Sequence, residues 1–187
     1  MEEEKRPPEN RPTVKRPPAP ILSVVGNSGS GKTVFLEKLI PDLKNRGLRI
    51  GVIKNDSHDF DIDVPGKDSW RLAQAGADLT MIASPRKVAL IEKWEEKESL
   101  EQLARRMNHV DLVLTEGFRL GNAPKIEVRR AACGHEPIFG AAQLFAVITD
   151  VPPDESSQKD AVPRLPLDDV KPLAELIMEY VKTYRQG

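Results

Sequence analysis

The chain has 187 residues, of which 28 are Lys or Arg and 29 are Asp or Glu, so its formal net charge is −1. A charge this close to zero argues against a nucleic-acid binder, because such proteins need a surplus of basic side chains on one face. The single cysteine, Cys133, excludes an internal disulfide framework, and no apolar run approaches the roughly 18 residues that a membrane span needs. We therefore expect a cytoplasmic protein with no membrane segment.

The first 20 residues differ in composition from the rest of the chain. They hold six of the 16 prolines, and their apolar side chains are only Met1, Val14 and Ala19. Such a segment buries too little apolar surface to offset the entropy lost on ordering. We expect a disordered, proline-rich extension over residues 1–20 and one folded domain over residues 21–187.

Within the expected domain, short apolar runs alternate with segments of helical spacing. The runs predict strands near residues 21–25, 48–54, 79–83, 87–94, 110–115 and 144–149. Helices are predicted after the first strand, near 68–77, near 100–107 and near 173–184. This alternation predicts an α/β fold, a three-layer sandwich in which helices cover both faces of a mostly parallel sheet. Ligands of such sheets bind at the carboxyl ends of the strands.

Residues 125–129 alternate strictly between charged and apolar side chains. This pattern predicts a half-buried strand at a sheet edge or an interface. Arg129 and Arg130 at its end are candidates for binding a phosphate or a pterin-type anion. The alternative, which we expect here, is a solvated edge whose charges prevent aggregation.

A glycine-rich segment after the first predicted strand matches G-x-x-x-x-G-K-[ST] at every position. Its residues, here called the phosphate loop, are Gly26, Asn27, Ser28, Gly29, Ser30, Gly31, Lys32 and Thr33. Glycines let backbone N–H groups point at phosphate oxygens, and the helix that follows adds its positive end. Lys32 is placed to reach the β- and γ-phosphates, and the Thr33 hydroxyl to bind Mg²⁺. The loop therefore predicts a nucleotide site.

A magnesium ion on that nucleotide also needs an acidic ligand, usually after an apolar run on a neighbouring strand. Residues 112–115 form such a run, and Glu116 follows it at the carboxyl end of the predicted strand. Asp111 begins the same strand and should lie at the opposite end, so we exclude it as a ligand. An ordinary strand-end acid is the alternative for Glu116.

The loop after the second predicted strand is rich in aspartate. Residues 59–63 have the spacing of an EF-hand, but Val64 and Trp70 stand where its Gly and Glu are required, so calcium binding is excluded. Asp56 and His58 directly follow the strand. They are candidates to contact Mg²⁺ through water or to position an attacking water, and a solvated turn is the alternative.

Other polar residues carry weaker signals. Cys133 and His135 would supply two metal ligands from each chain of a dimer, although two ligands favour a structural role. Arg71 and Lys67 are candidates to contact a phosphate. The alternative, which we expect here, is that they lie on an exposed helix face.

The nucleotide base is indicated by one acid. The common guanine signature Asn-Lys-x-Asp is missing from the chain, but Asp150 ends the last predicted strand. A carboxylate there would accept the N1 and N2 protons of guanine, and adenine offers no such donor pair. A turn acid before Pro152 and Pro153 is the alternative.

Taken together, these residues resemble the MobB family, named for molybdopterin-guanine dinucleotide biosynthesis protein B. The resemblance extends over about residues 21–185, and segments 65–69 (Pro-Gly-Lys-Asp-Ser) and 116–119 (Glu-Gly-Phe-Arg) are its distinctive motifs. The other matching segments are the phosphate loop and residues 52–54, 61–64, 75–77, 83–86, 124–129 and 149–150. In this family, the residue that matches Lys54 is often followed by His, whereas Asn55 stands here.

The resemblance implies a P-loop GTPase of the SIMIBI class that forms a homodimer and hydrolyses GTP weakly. It implies an adapter for the molybdopterin guanylyltransferase, which joins GMP to molybdopterin, and contacts with molybdopterin-bearing proteins. By position, residues 27–33 would hold the phosphates of GTP, Thr33 and Glu116 the Mg²⁺, and Asp150 the base. Lys32, Asp56 and Glu116 are then the candidate catalytic residues.

Two other functions stay open. A nickel metallochaperone GTPase of the same superfamily needs a soft-ligand cluster, for which Cys133 and His135 are the candidates. An ATP-dependent small-molecule kinase or ligase would use the same phosphate loop, but it would leave Asp150 without a role.

Overall fold

The computed structural model describes residues 18–56, 59–134, 136–151 and 162–186. The strands are β1 (Ile21–Gly26), β2 (Ile50–Lys54), β3 (Leu79–Ala83), β4 (Val88–Glu92), β5 (Leu112–Glu116), β6 (Lys125–Arg129), β7 (Leu144–Thr149) and β8 (Arg164–Pro166). The helices are α1 (Lys32–Asn45), α2 (Asp68–Gln74), α3 (Leu100–Arg105) and α4 (Lys171–Tyr184). None of the described helices is long and apolar enough to span a membrane.

Six strands form one sheet in the order β2-β5-β1-β6-β7-β8, and every neighbouring pair is parallel. The remaining strands, β3 and β4, pair antiparallel in a hairpin that is separate from this sheet. The predicted α/β fold with a mostly parallel sheet is confirmed. The short strand β8 had no sequence signal that we recognised.

Helices cover both faces of the sheet, as predicted. On one face, α1 and α4 bury apolar side chains at three- and four-residue spacing, which places them on one side of each helix. These side chains are Phe35, Leu36, Leu39 and Leu43 of α1 and Leu173, Ala174, Ile177 and Val181 of α4. On the other face, Leu100 and Ala104 of α3 pack with Ile53 and Val113.

Local sequence signals determine several helix boundaries. Ser99 and Gln102 form a capping box at the start of α3, because the side chain of each accepts a hydrogen bond from the backbone N–H of the other. At the start of α4, Asp169 Oδ1 accepts a hydrogen bond from Lys171 N at 3.0 Å. The helix α1 continues through Pro41 to Asn45.

The expectation of an edge position for β6 is wrong, since β6 lies between β1 and β7. All five of its residues are buried, including Lys125 and Glu127. The charges are buried because they have partners: Arg129 Nε donates to Glu127 Oε1 at 2.9 Å, and Lys125 Nζ donates to the Gly121 oxygen at 3.1 Å. Burial lowers the pKa of Lys125 below its ordinary value. The solvated-edge interpretation is therefore wrong for Arg129, which is paired inside the protein, while Arg130 is exposed.

The end of the predicted N-terminal extension contacts the sheet. Residues 1–17 lie outside the described residues, but Pro20 accepts a hydrogen bond from Val113 N at 2.9 Å. Ala19 packs against the α3 side of the core.

The close approach of β1 to β6 predicts a strict requirement for glycine at position 26. A Cβ at Gly26 would lie 2.5 Å from the Val128 carbonyl oxygen, which the sheet holds in place. We expect Gly26→Ala to lower the free energy of unfolding by about 1–3 kcal/mol, since the backbone must shift to relieve the overlap. Urea denaturation measures this effect.

The matched control is Gly140→Ala, because, apart from its chain neighbours, none of the residues that the structure describes has an atom within 4 Å of a Cβ built at that position. Its expected change is within about 0.5 kcal/mol. Equal unfolding midpoints for the two variants would contradict the steric explanation.

Candidate nucleotide-binding site

The parallel sheet brings the predicted site residues to one edge. In the register of the strands, Val24 of β1 pairs with Glu116 of β5, and Gly26 pairs with Val128 of β6. The carboxyl ends of three adjacent strands therefore surround the start of the phosphate loop, which is the usual ligand position in such sheets.

The phosphate loop is a tight turn between β1 and α1. Ser30 N donates to the Asn27 oxygen at 3.2 Å, and Phe35 N donates to the Gly31 oxygen at 2.8 Å, where the helix begins. Gly31 precedes the helix with φ +87°, a conformation that side chains other than glycine adopt at a cost. The N-terminus of α1 therefore opens directly onto the loop, so its first N–H groups are available to an anion.

Lys32 folds back over the loop that precedes it. Its Nζ donates to the carbonyl oxygens of Gly26 at 3.2 Å and Asn27 at 2.9 Å. Burial lowers the pKa of the Lys32 ammonium below its ordinary value, Glu116 opposes this effect, and the charge of Arg119 adds to it. A bound anion would favour the charged form and raise this pKa again.

The two predicted magnesium ligands meet in the structure. Thr33 Oγ1 donates to Glu116 Oε1 at 2.6 Å. One hydroxyl and one carboxylate at the mouth of a phosphate loop are a suitable donor set for Mg²⁺, which takes its other ligands from phosphate and water. The arrangement fits the predicted metal role of this pair.

The excluded acid, Asp111, lies at the opposite end of the sheet. Its carboxylate accepts hydrogen bonds from Arg49 N at 2.8 Å and Arg185 Nη2 at 2.5 Å. Burial opposes ionisation of Asp111, but these basic partners prevail and its pKa is lowered. Asp111 therefore stabilises the fold far from the phosphate loop.

A segment between β6 and β7 holds the phosphate loop from the side. Asn27 Nδ2 donates to the Cys133 oxygen at 3.1 Å, and the Cys133 thiol contacts the Gly29 oxygen at 3.3 Å. The Cys133 side chain therefore packs against the phosphate loop. His135 lies outside the described residues, and among those described no group of three or more His, Cys, Asp or Glu side chains is placed to hold a metal.

A cavity of about 630 Å³ opens beside the phosphate loop. Ser30, Gly31 and Phe35 of the phosphate loop and α1 line it, together with Arg130 and Asp150. Its volume falls within the range of about 300–1,000 Å³ that is usual for small-molecule sites. The predicted base-binding acid therefore faces a cavity that is continuous with the phosphate loop.

The Asp150 carboxylate also has contacts within the protein. Asp150 Oδ1 accepts a hydrogen bond from Ala131 N at 2.8 Å, and Oδ2 lies 3.5 Å from Arg130 Nε. A carboxylate has about four lone-pair positions, so these contacts leave it able to accept from a base. The turn-acid alternative explains the bond to Ala131 equally well, so base recognition by Asp150 stays a prediction.

The described residues in and near the aspartate-rich loop are exposed or make local hydrogen bonds and ion pairs. Asp56 is exposed two residues beyond β2, and His58 lies outside the described residues. Asp63 Oδ1 accepts from Ser69 Oγ and Val64 N, as expected for a local turn. Arg71 is exposed 3.8 Å from Asp68, so it belongs to the predicted exposed helix face.

One residue close to the phosphate loop was assigned no role from the sequence. Arg119 Nη2 donates to the Gly26 carbonyl oxygen at 3.0 Å. The available signal was a cation three residues after the predicted magnesium ligand, on the turn that follows the same strand.

Comparison with known proteins agrees with this geometry. The family model of molybdopterin guanine dinucleotide synthesis protein B, MobB, matches residues 21–150. The molybdopterin-guanine dinucleotide biosynthesis adapter protein of Escherichia coli (strain K12) is 40% identical over 169 residues, which cover 87% of this chain and 94% of that protein.

Solved structures show the same relationship. A crystal structure of molybdopterin-guanine biosynthesis protein B (mobB) has a TM-score of 0.66 and 31% identity, covering 87% of this chain and 99% of the other. Bacillus subtilis MobB has the same fold, with a TM-score of 0.65, 24% identity and coverage of 86% and 96%. The family model covers more than half of the chain, and the chain therefore belongs to the MobB family.

Proposed function

We propose that this chain binds GTP with Mg²⁺ and acts as an adapter in the synthesis of molybdopterin guanine dinucleotide. In this role it supports the nucleotidyltransferase that attaches GMP to molybdopterin, in the cytoplasm. The observation that carries the proposal is the contact between Thr33 and Glu116 at the mouth of the phosphate loop. Membership of the MobB family and the adapter name of the Escherichia coli relative support the pathway.

The proposed nucleotide lies across two adjoining parts of the site. The backbone N–H groups of residues 27–33 and the Lys32 ammonium would hold the phosphates, and Thr33 and Glu116 would supply the protein ligands of Mg²⁺, which offsets phosphate charge. The base enters the cavity beside the loop, where Asp150 accepts the donor pair that guanine offers. A competition experiment between ATP and GTP would show which base the site prefers, because adenine lacks the donor pair that Asp150 would accept from guanine.

Hydrolysis of GTP is proposed to be slow. Lys32 and the metal neutralise charge on the phosphates, and Asp56 is the candidate to orient the attacking water. Efficient GTPases add a glutamine that positions this water and an arginine supplied by a partner, each with a large effect on the rate. An adapter needs the bound state of GTP more than its turnover.

Nickel delivery receives no support from the described side chains. The Cys133 thiol contacts the Gly29 carbonyl oxygen, and no soft-ligand cluster surrounds it among the residues that the structure describes.

The first prediction for the proposed function tests the nucleotide site together with its role. Lys32→Ala should weaken GTP binding about 100-fold or more, because charge-assisted hydrogen bonds to phosphate are lost. In a reconstituted reaction with the nucleotidyltransferase, the wild-type chain should raise the yield of GMP-linked molybdopterin, and the variant should not.

Lys44→Ala is the matched control, since Lys44 is an exposed lysine in the last turn of α1. Calorimetry should give it wild-type affinity. Near-normal GTP affinity in Lys32→Ala would contradict the phosphate-loop assignment, and an unstimulated reaction with wild-type protein would contradict the adapter role.

The second prediction concerns magnesium. Glu116→Gln should reduce the gain in GTP affinity that Mg²⁺ provides, because a neutral amide is a weaker ligand than a carboxylate. Titrations with Mg²⁺ and with EDTA measure this gain, and Glu37→Gln on the exposed side of α1 is the control. A wild-type gain in Glu116→Gln would remove this residue from the metal site.

We propose that the protein is a homodimer whose second copy covers the β3–β4 hairpin. An isolated two-stranded hairpin is at best marginally stable in water. One face of this hairpin is mainly apolar and exposed, because Met81 pairs with Leu90 across the strands, and Leu79 and Val88 lie on the same face, with Glu92 opposite Leu79. A self-complementary contact of this face would bury it in a symmetric dimer.

The third prediction tests this dimer. The double variant Met81→Glu/Leu90→Lys places opposite charges across the hairpin, which preserves its pairing but opposes burial of its face. Sedimentation velocity should show a monomer at concentrations where the wild type is a dimer. Leu120→Lys, at an exposed leucine outside the hairpin, should remain dimeric. A dimeric double variant would exclude this face as the interface.

A further inference from the structure

A tight turn after β5 places Arg119 at the start of the phosphate loop. Gly117 N donates to the Val24 oxygen at 3.1 Å, which ties the turn to β1, and Arg119 N donates to the Gly117 oxygen at 3.0 Å. Gly117 has φ +88°, and a Cβ there would lie 3.2 Å from the Asn55 carbonyl oxygen. The backbone under Arg119 is therefore held in place, although its side chain is exposed.

Two cationic side chains share one acceptor at this point. The Gly26 carbonyl oxygen accepts from Arg119 Nη2 at 3.0 Å and from Lys32 Nζ at 3.2 Å. Like charges this close repel each other, and a single carbonyl dipole offsets only part of the repulsion. An anion between them would remove it.

Arg119 differs in its partners from the two other arginines near the loop. Arg129 is paired with Glu127, and Arg130 lies against Asp150. The contacts that the structure describes for Arg119 include a carbonyl oxygen and no carboxylate. A guanidinium has five N–H donors, so most of its donors stay available for an anion.

The position of Arg119 distinguishes between the two ends of a bound nucleotide. The ammonium of a phosphate-loop lysine contacts the β- and γ-phosphates, and Arg119 shares an acceptor with that ammonium. Glu116, three residues earlier, contacts Thr33 at the metal position. The base-side cavity is lined instead by Gly31, Arg130 and Asp150. Arg119 therefore lies at the terminal-phosphate end.

We propose that the Arg119 guanidinium donates hydrogen bonds to the γ-phosphate and gives the site its preference for nucleoside triphosphate over diphosphate. This inference rests on the proposed nucleotide site and adds to that site a residue of the same chain that contacts the third phosphate. Guanidinium and phosphate match in bidentate geometry, so the contact depends on shape as well as on charge.

The test compares two nucleotides across four proteins by calorimetry with Mg²⁺. The nucleotides are GDP and the slowly hydrolysed analogue GTPγS, and the proteins are wild type, Arg119→Gln, Arg119→Lys and the control Arg105→Gln. Arg105 is exposed in the last turn of α3. Melting temperatures confirm that each variant is folded.

We expect Arg119→Gln to weaken GTPγS binding about 10- to 100-fold, the usual range for hydrogen bonds to a charged group, and GDP binding less than about threefold. Arg119→Lys should restore part of the preference, because it keeps the charge and loses the bidentate geometry. Arg105→Gln should match wild type with both nucleotides.

The alternative outcomes separate the inference from the proposed function. If wild type binds both nucleotides and Arg119→Gln leaves both affinities unchanged, or lowers them equally, the γ-phosphate role is overturned while the nucleotide site stands. If wild type binds neither nucleotide, the proposed function and the inference fail together.

Discussion

Backbone hydrogen bonds of the parallel sheet hold β1 between β5 and β6, and the candidate site depends on this pairing. Parallel strands end at the same edge, so the first glycine of the phosphate loop, the acid that ends β5 and the turn after β6 become neighbours. The register of Val24 with Glu116 then brings that acid within hydrogen-bond distance of Thr33 in the first turn of α1. A shift of one residue would turn the Glu116 side chain to the other face of the sheet.

The molecule carries nearly equal numbers of basic and acidic side chains, and the proposed anion site is confined to the phosphate loop. The formal net charge is −1, and buried charges such as Arg129 are held by partners such as Glu127. The positive potential at the phosphate loop comes from backbone N–H groups, the end of α1, Lys32 and Arg119. A site of this kind attracts a compact, highly charged ligand and leaves the rest of the surface without a strong field.

The elements that the sequence predicted well are those with local signals. Apolar runs identified β1, β2, β5 and β7 of the main sheet, alternation identified β6, and glycine spacing with Lys32 identified the phosphate loop. The central position of β6 was not predicted, because alternating charges are typical of a solvated strand. Glu127 is buried because it accepts hydrogen bonds from Ile138 N and Phe139 N, which lie in the segment after β6. Arg119 was missed for the same reason: its contact with Gly26 joins residues 93 positions apart. Partners this distant in sequence leave no periodic pattern.

The hydrogen bond from Asn27 to the Cys133 carbonyl oxygen has a consequence for how strongly this loop can bind. Many flexible loops lose conformational freedom when they close around a ligand, and that loss reduces affinity by about 1–2 kcal/mol for each residue fixed. Here a hydrogen bond within the protein attaches the loop to a segment more than 100 positions away. The entropy of ordering this loop is lost during folding, so at the proposed nucleotide site the energy of each phosphate contact would go into binding rather than into arranging the backbone.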